Sequence, residues 1–272
     1  MIDLHLHTTA SDGALSPADL VARVAAAGIT TLSVTDHDTT AGLTAARAAA
    51  TARHLTFVPG IEITAVEGTR DLHVLGYFFD EREPRLLAFL AGQRADRLRR
   101  IHEIVDRLAV LGCPIDPAPL LAIASESGRS VGRPHIAYAL VAAGHATDRD
   151  DAFERFIGEE APAFVPRRGP SAADVVGLIR GAGGIASLAH PGLSRRDDLI
   201  PALTAAGLAA LEARHTDHDA ATEAHYRTLA RRHGLAVTGG SDFHGDISRH
   251  GGGLGSVTLS AEDFALLQER RP

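Results

Sequence analysis

Near its start and near its end, the chain has two pairs of side chains of metal-ligand type, each spaced one residue apart. His5 and His7 lie in "IDLHLH", and Asp242 and His244 lie in "GGSDFH". If each stretch is a strand, both members of a pair point to the same face, because side chains alternate along a strand. Such a pair is either a polar surface feature or two ligands of one metal ion. Mixed imidazole and carboxylate ligands suit manganese, iron or zinc.

Further side chains of these types follow other predicted strands. His37 lies in "VTDHD", Glu62 in "PGIEI", His73 in "LHVLGY" and His190 in "AHPG", and Asp12 follows the first pair in a turn that contains glycine. A single histidine at a strand end is more often a hydrogen-bonded structural residue than a ligand. Burying this many imidazoles and carboxylates together without metal would leave polar groups and charges unpaired. Their number therefore favours a metal site.

The elements that must position these residues alternate between strand and helix at first. Strands are predicted over 2–7, 30–37 and 55–63, with a helix that opens at Ser16 and Pro17 and a second over 41–53. This order predicts parallel strands with helices outside. Only residues 64–71 separate the third strand from a fourth over 72–79, and a parallel crossover needs about a dozen residues or more. The fourth strand is therefore predicted to be antiparallel, which brings His73 to the same edge as Glu62.

Strand patterns disappear from about residue 84 to about residue 166. A long amphipathic helix is predicted over 84–112, and shorter helices follow near 117–125, 133–144 and 149–157. Strands resume at 185–190, 208–214 and 235–244, and a last strand over 255–260 and a terminal helix follow. We predict an α/β fold with a barrel domain of residues 1–91 and 166–272, and a helical insertion domain of residues 92–165.

Composition excludes several classes of protein. The chain has 272 residues, 45% of them hydrophobic, a net charge of −7 and no lysine, so Schiff-base and Walker A lysines are excluded. The negative charge disfavours an extended nucleic-acid surface. No apolar run is long enough to cross a membrane, the start does not resemble a signal peptide, and Cys113 is the single cysteine. These features predict a cytoplasmic protein with no membrane contact, and no obligate protein partner is inferred.

Six stretches together resemble the PHP (polymerase and histidinol phosphatase) family of metal-dependent phosphoesterases. They are "DLHLHTTASDG", "VTDHDTTAG", "PGIEIT", "LHVLGY", "AHPG" and "GGSDFHG". A seventh stretch, "GRPHIAYALVAAGH", is similar to the helical insertion of the branch that acts on nucleotides and short RNA. The resemblance implies a distorted seven-stranded β/α barrel that binds three divalent transition-metal ions.

The resemblance also implies a ligand set. The first ion would be held by His5, His7, Glu62 and Asp242, the second by Glu62, His73 and His190, and the third by Asp12, His37 and His244. Glu62 would bridge two ions. Catalytic roles are predicted for His190, Asp242 and His244 in addition to their places as ligands.

Three divalent ions outweigh the charges of Asp12, Glu62 and Asp242, so the site would attract phosphate and stabilise a charged transition state. Our hypothesis is that a metal-bridging hydroxide hydrolyses a phosphoester, either a nucleoside 3′,5′-bisphosphate or the 5′ end of a short RNA. One alternative is a phosphatase of another small phosphomonoester, such as histidinol phosphate. An alternative from a different class is a non-catalytic, metal-loaded binding module, which the complete ligand set disfavours.

Four further residues are candidates for contacting the substrate. Arg133, His135 and Arg149 lie in the insertion, near predicted helix starts, where arginine and helix N-termini suit phosphate. An exposed arginine is usually only solvated, and that alternative stays open. His215 follows the sixth strand, where it contacts either substrate or solvent. The family branch commonly has a Tyr-His pair at this point, whereas this chain has Arg214 before His215.

Asp36 and Asp38 flank His37 in "TDHD". On a strand they face away from His37. We therefore predict that they orient imidazoles of the site and do not bind metal themselves.

Overall fold

The barrel is a single sheet of seven strands that neighbour one another in chain order. The computed structural model describes residues 1–126, 128–245 and 253–272. The strands are β1 Ile2–Asp3, β2 Thr31–Val34, β3 Thr56–Glu67, β4 Arg70–Tyr77, β5 Ile185–Leu188, β6 Ala210–Arg214 and β7 Ala236–Gly239. Main-chain hydrogen bonds from Leu4 to Gly239 (3.2 Å) and from His7 to Phe243 (3.0 Å) join the first and last strands. The predicted distorted seven-stranded barrel is confirmed.

The fourth strand runs against both of its neighbours. β4 pairs antiparallel with β3 and with β5, and every other neighbouring pair is parallel. The predicted β3–β4 hairpin is therefore correct. β3 is longer than predicted and β4 begins and ends two residues earlier than predicted, because pairing continues from Thr64–His73 to Glu67–Arg70. As a result Glu62 lies in the middle of β3 and not at its end.

Apart from β3 and β4, the strands are shorter than predicted. The seventh, predicted over 235–244, ends at Gly239, before Asp242 and His244. The first strand ends at Asp3, and beyond it Leu6 pairs with Phe243 only as an isolated bridge. His5 and His7 nevertheless point inward together, because the extended backbone keeps its alternation, and both rings are fully buried. The predicted last strand over 255–260 is reduced to one antiparallel bridge between Leu259 and Ile2, since β1 is only two residues long.

Helices surround the sheet and form the segment between β4 and β5. They are α1 Pro17–Ala26, α2 Leu43–Thr51, α3 Pro84–Val110, α4 Ala118–Ser125, α5 Arg133–Ala142, α6 Arg149–Ala152, α7 Ala172–Gly181, α8 Pro191–Ser194, α9 Ile200–Ala206, α10 Ala220–His233 and α11 Ala261–Gln268. The predicted start of α1 is correct, because Ser16 Oγ accepts a hydrogen bond from Asp19 N. None of the helices in the described part of the chain is long and apolar enough to cross a membrane.

Buried apolar side chains form two clusters, one in the barrel and one in the segment between β4 and β5. The long helix α3 contributes to both. Leu86 and Leu90 pack with the barrel, whereas Ile101, Ile104 and Leu108 pack with the other helices. α3 therefore links the two cores mechanically. The domain limits of 1–91 with 166–272 and of 92–165 stay a prediction.

Candidate metal centre and arginine cleft

The Glu62 carboxylate lies at the centre of the barrel mouth, surrounded by imidazoles. Its Oε2 lies 3.4 Å from His5 Nε2, 3.3 Å from His7 Nε2 and 3.1 Å from His37 Nδ1, and its Oε1 lies 2.8 Å from His73 Nδ1 and 3.1 Å from His190 Nε2. The two oxygens therefore face two different groups of imidazoles. This is the geometry that a carboxylate bridging two ions requires.

Two further carboxylates complete the cluster. Asp242 Oδ1 lies 3.3 Å from His5 Nε2 and 3.1 Å from His7 Nε2. Asp12 Oδ1 lies 3.3 Å from His244 Nε2, and its Oδ2 lies 3.9 Å from His37 Nε2. The structure thus brings all nine predicted ligand residues together, although they come from both ends of the chain and from its middle.

The ring nitrogens fit metal ligands better than hydrogen-bond donors. Within the described residues, buried His7 Nδ1 and Nε2, His37 Nδ1 and His73 Nδ1 make no hydrogen bond of normal geometry. Yet His7 Nε2, His37 Nδ1 and His73 Nδ1 each lie within 3.3 Å of a carboxylate oxygen. Buried polar atoms are costly unless they are paired. Cations between these nitrogens and oxygens would satisfy both kinds of atom at once.

Charges within the cluster reinforce one another. Burial raises the pKa of Glu62, but the imidazoles of His37, His73 and His5 outweigh burial and hold it well below its ordinary value. Burial lowers the pKa of His7, yet the carboxylates of Asp242 and Glu62 raise it to about 9. Burial dominates at His37 and lowers its pKa well below the usual value. Glu62 is therefore ionised at neutral pH, as a metal ligand must be.

Glu212 on β6 was missed by the sequence interpretation. The His5 Nδ1–H group donates to Glu212 Oε1 at 2.9 Å, and the backbone N–H of His190 donates to Oε2 at 2.7 Å. This fixes the tautomer of His5 and leaves its Nε2 for the cluster. A carboxylate that orients a ligand histidine in this way is common in metal sites. The available signal was a single glutamate within the apolar stretch "LAALEAR".

Asp3 was also missed. Its carboxylate accepts hydrogen bonds from His5 N at 3.2 Å, from Ser241 N at 3.0 Å and from Ser241 Oγ at 2.6 Å. Asp3 therefore ties the first ligand pair to the segment that carries Asp242.

His215 belongs to the interior of the site, and the surface alternative is wrong. Its side chain is buried, its Nε2 lies 3.4 Å from Asp242 Oδ2, and its ring centroid lies 5.3 Å from that of His190. His215 also groups with His5 and Glu212 closely enough to share a cation. Contact with substrate stays a prediction.

Among the described residues, Asp36 and Asp38 hydrogen-bond to a loop and to an arginine rather than to imidazoles, which is not the orienting role that the sequence predicted. Asp36 accepts hydrogen bonds from Thr8 N, Thr8 Oγ1 and Ser11 Oγ, all at 2.8 Å or less. It thereby fixes the loop that leads into Asp12. Asp38 Oδ2 accepts a hydrogen bond from Arg97 Nε at 2.7 Å. That ion pair joins the barrel to α3.

Beside the cluster lies a cleft of about 160 Å³ that we call the arginine cleft. It shares Asp12, His37 and His73 with the metal-ligand cluster. Its cationic lining consists of Arg97, Arg100, Arg133, Arg149 and Arg167. Within its described lining, five arginines outnumber the carboxylates of Asp12 and Asp71. The cleft therefore carries positive charge at the edge of the cluster.

Two aspartates form ion pairs with four of these arginines. Asp38 Oδ2 contacts Arg97 and Arg167, and Asp71 contacts Arg100, Arg133 and Arg167 at 3.4–3.6 Å. Burial lowers the pKa of Arg100 to about 9 and that of Arg167 to about 10, and neighbouring arginines add to the effect. Both remain charged at neutral pH. Arg100 Nη2 and Arg167 Nη1 are buried and make no hydrogen bond within the described residues.

The predicted substrate residues of the insertion are placed differently around this cleft. Arg133 and Arg149 line it. The Arg149 guanidinium lies 4.8 Å above the Phe153 ring, which limits its freedom. His135 lies in the first turn of α5, and its Nδ1 accepts a hydrogen bond from Gly132 N at 3.2 Å. His135 is not part of the described lining of the cleft, so its contact with substrate stays a prediction.

Known proteins resemble this chain over nearly its whole length. Residues 3–126 match the family model described as the PHP domain. A 3′,5′-nucleoside bisphosphate phosphatase of Chromobacterium violaceum is 36% identical over 251 residues, which covers 89% of this chain and 87% of that protein. A 5′–3′ exoribonuclease of Salmonella typhimurium is 37% identical, covering 89% of this chain and 84% of that protein. The crystal structure of a putative metal-dependent phosphoesterase from Bifidobacterium adolescentis superposes with a TM-score of 0.90 at 36% identity, covering 100% of this chain and 96% of that one.

Proposed function

Because the chain belongs to the PHP family of metal-dependent phosphoesterases, we propose that it hydrolyses nucleoside 3′,5′-bisphosphates or short RNA with a 5′-phosphate. One observation carries the proposal. A cluster of nine ligand-type residues and a cleft lined by five arginines share Asp12, His37 and His73. One substrate can therefore place one phosphate at the cluster and a second phosphate in the cleft.

Three divalent ions of manganese, iron or zinc type fit the cluster. The first would be held by His5, His7, Glu62 and Asp242, the second by Glu62, His73 and His190, and the third by Asp12, His37 and His244. When bound, such ions supply positive charge to the phosphate oxygens and lower the pKa of an attacking water.

The side chains of the cluster prepare this chemistry. Glu212 holds the His5 ring with Nε2 toward Glu62, and Asp3 holds the backbone of His5 and Ser241. We assign catalytic roles to Asp242, His190 and His244, which place charge and hydrogen-bonding groups around the reacting phosphate. Pre-organised charge of this kind stabilises the transition state because it needs no rearrangement during the reaction.

The arginine cleft would anchor the phosphate that does not react. In a nucleoside 3′,5′-bisphosphate the two phosphates are one nucleoside apart. In a 5′-phosphorylated RNA, the terminal phosphate and the first phosphodiester have the same spacing. A single arrangement of cluster and cleft therefore accommodates both substrates. Guanidinium groups suit this role because they bind phosphate oxygens in a fork.

A product assay on manganese-loaded protein tests the proposal. The panel contains adenosine 3′,5′-bisphosphate, a dinucleotide with a 5′-phosphate, the same dinucleotide with a 5′-hydroxyl, and histidinol phosphate. We expect the two substrates with paired phosphates to be hydrolysed with the highest kcat/KM. Faster hydrolysis of histidinol phosphate would instead favour a phosphatase of another small monoester. No hydrolysis of any compound would favour a non-catalytic binding module.

A further inference from the structure

A second recess borders the cluster at His73, which it shares with the arginine cleft. We call it the β4–α8 pocket. It has a volume of about 280 Å³ and is bordered by His73 and His190 of the cluster. One part of its wall consists of Leu72 of β4, Ala189 after β5, and Leu193 and Ser194 of α8. The rest of its lining is charged, with three arginines and three carboxylates: Arg70, Arg133, Arg196, Glu67, Asp71 and Glu159. It shares His73, Asp71 and Arg133 with the arginine cleft. The cluster and the two recesses therefore meet at one point.

The two recesses differ in charge. The arginines of the β4–α8 pocket are matched by local carboxylates. Arg70 Nε lies 3.8 Å from Glu159 Oε2, and Arg196 makes two hydrogen bonds of 2.8 Å to Asp198. In the arginine cleft, by contrast, the guanidinium groups outnumber the carboxylates. A phosphate would be attracted more strongly to the arginine cleft than to the β4–α8 pocket. An uncharged group would cost less free energy of desolvation in the β4–α8 pocket than in the arginine cleft.

Leu193 gives the pocket an exposed apolar surface. Its side chain is 53% exposed, although it lies three residues after His190 at the mouth of the barrel. Leu72 and Ala189 are buried beneath the same wall. An apolar surface beside a polar catalytic cluster suits a flat ring that packs by one face.

We propose that the β4–α8 pocket binds the nucleobase of the nucleotide whose phosphate reacts, and that this base packs on Leu193. The inference rests on the proposed function. A nucleoside 3′,5′-bisphosphate has three arms, namely two phosphates and a base. The molecule offers three places that meet at His73: the cluster for the reacting phosphate, the arginine cleft for the second phosphate, and the near-neutral pocket for the base.

The test compares substrates with and without a base. Leu193→Ser is assayed on adenosine 3′,5′-bisphosphate and on 1,2-dideoxyribose 3,5-bisphosphate, which carries the same two phosphates and no base. We expect kcat/KM on the nucleotide to fall about 5- to 30-fold, mainly through KM, because one leucine contact is lost. For the base-free compound, kcat/KM of Leu193→Ser should stay within about twofold of the wild-type value. Leu193→Met should keep most of the wild-type kcat/KM on the nucleotide, because methionine has a similar volume and is also apolar.

Leu266→Ser is the matched control, because Leu266 is similarly exposed at 46% but lies on α11 and does not line the pocket. Leu266→Ser should leave kcat/KM unchanged on both compounds. Equal losses by Leu193→Ser on both compounds would overturn the inference and assign Leu193 a structural role beside His190. A loss confined to a 5′-phosphorylated dinucleotide would also overturn it, because the downstream nucleoside would then occupy the pocket. If the wild-type protein hydrolyses neither bisphosphate when loaded with metal, the proposed function fails together with the inference.

Discussion

Glu62 is the residue on which the geometry of the cluster depends. Its two oxygens face different groups of imidazoles, so its removal should perturb two ions, whereas a peripheral ligand serves one. We predict that Glu62→Gln lowers kcat at least about 100- to 1,000-fold, and that Asp12→Asn has a smaller effect. The comparison is made on protein whose metal content has been measured. Near-normal turnover of the Glu62 variant would show that this residue is not the bridge.

Glu212 should act on metal binding through His5. Glu212→Gln keeps the shape of the side chain but removes the charge that receives the His5 Nδ1–H group. We predict a loss of metal affinity of about 10- to 100-fold, measured by competition with a chelator of known affinity. Glu223→Gln is the control, because Glu223 on α10 pairs with Arg227 away from the cluster. Unchanged metal affinity in the Glu212 variant would mean that Glu212 only accepts the hydrogen bond from the His190 backbone and does not act through His5.

The candidate metal-ligand residues could be predicted from the sequence, but the residues that hydrogen-bond to them could not. His5, His7, Asp242 and His244 stand out because they occur as two pairs, each spaced one residue apart. The roles of Glu212 and Asp3 are harder to predict, because the Glu212–His5 and Asp3–Ser241 side-chain hydrogen bonds join residues more than 200 positions apart. Asp36 and Asp38 were placed near the site correctly, but their true partners belong to a loop and to α3.

Among the elements, the β3–β4 hairpin was predictable because its connection is too short for a crossover. The ends of strands were less predictable. His5 and His7 lie beyond β1. The backbone there is held by hydrogen bonds between Leu6 and Thr35 and by one from His7 N to Phe243 O, outside the strand ladders. A pattern of alternation describes which way side chains point, but it does not show where pairing stops.

The attachment of α3 to the barrel depends on the buried pair of Asp38 and Arg97. Arg97 Nη2 lies 2.6 Å from Asp38 Oδ2, and both side chains are at most 7% exposed. We predict that Asp38→Asn lowers the free energy of unfolding by roughly 3–5 kcal/mol, because it leaves a buried arginine without its main counter-charge. Urea unfolding measures this. Glu103→Gln, which breaks the more exposed Arg99–Glu103 pair on the same helix, should cost less than about 1 kcal/mol. Equal effects would mean that the buried pair is not a special attachment.

The insertion should select the substrate without supplying the chemistry, because every proposed metal ligand lies outside residues 92–165. Arg149→Ala should lower kcat/KM on adenosine 3′,5′-bisphosphate about 10- to 100-fold, the worth of one charged hydrogen bond to phosphate. Hydrolysis of a small aryl phosphate should fall much less, and metal content should not change. The ratio of the two losses is the decisive quantity. Equal losses would assign Arg149 to the chemistry or to the fold, and no loss on either compound would make it an ordinary solvated arginine.

For the whole molecule, motifs spread over the chain were sufficient to predict the barrel. They were also sufficient to predict that the nine candidate metal-ligand residues come together at its mouth. The arginine cleft was not predictable as a unit. Its guanidinium groups come from α3, α5, α6 and the segment before α7, and only the packing of these elements brings them to His37 and His73. The charge of the cleft is also hidden in sequence, where the net charge of the chain is −7.

The most direct test of a metal-dependent phosphoesterase is a titration of activity against bound metal. Protein stripped with a chelator is reloaded with manganese in steps, and phosphate release from adenosine 3′,5′-bisphosphate is measured beside the metal content at each step. We predict negligible activity in the stripped protein and a rise that ends when about two to three ions are bound per chain. Full activity in the stripped protein would contradict metal-dependent hydrolysis, because the reaction would then proceed with no ion bound at the cluster around Glu62.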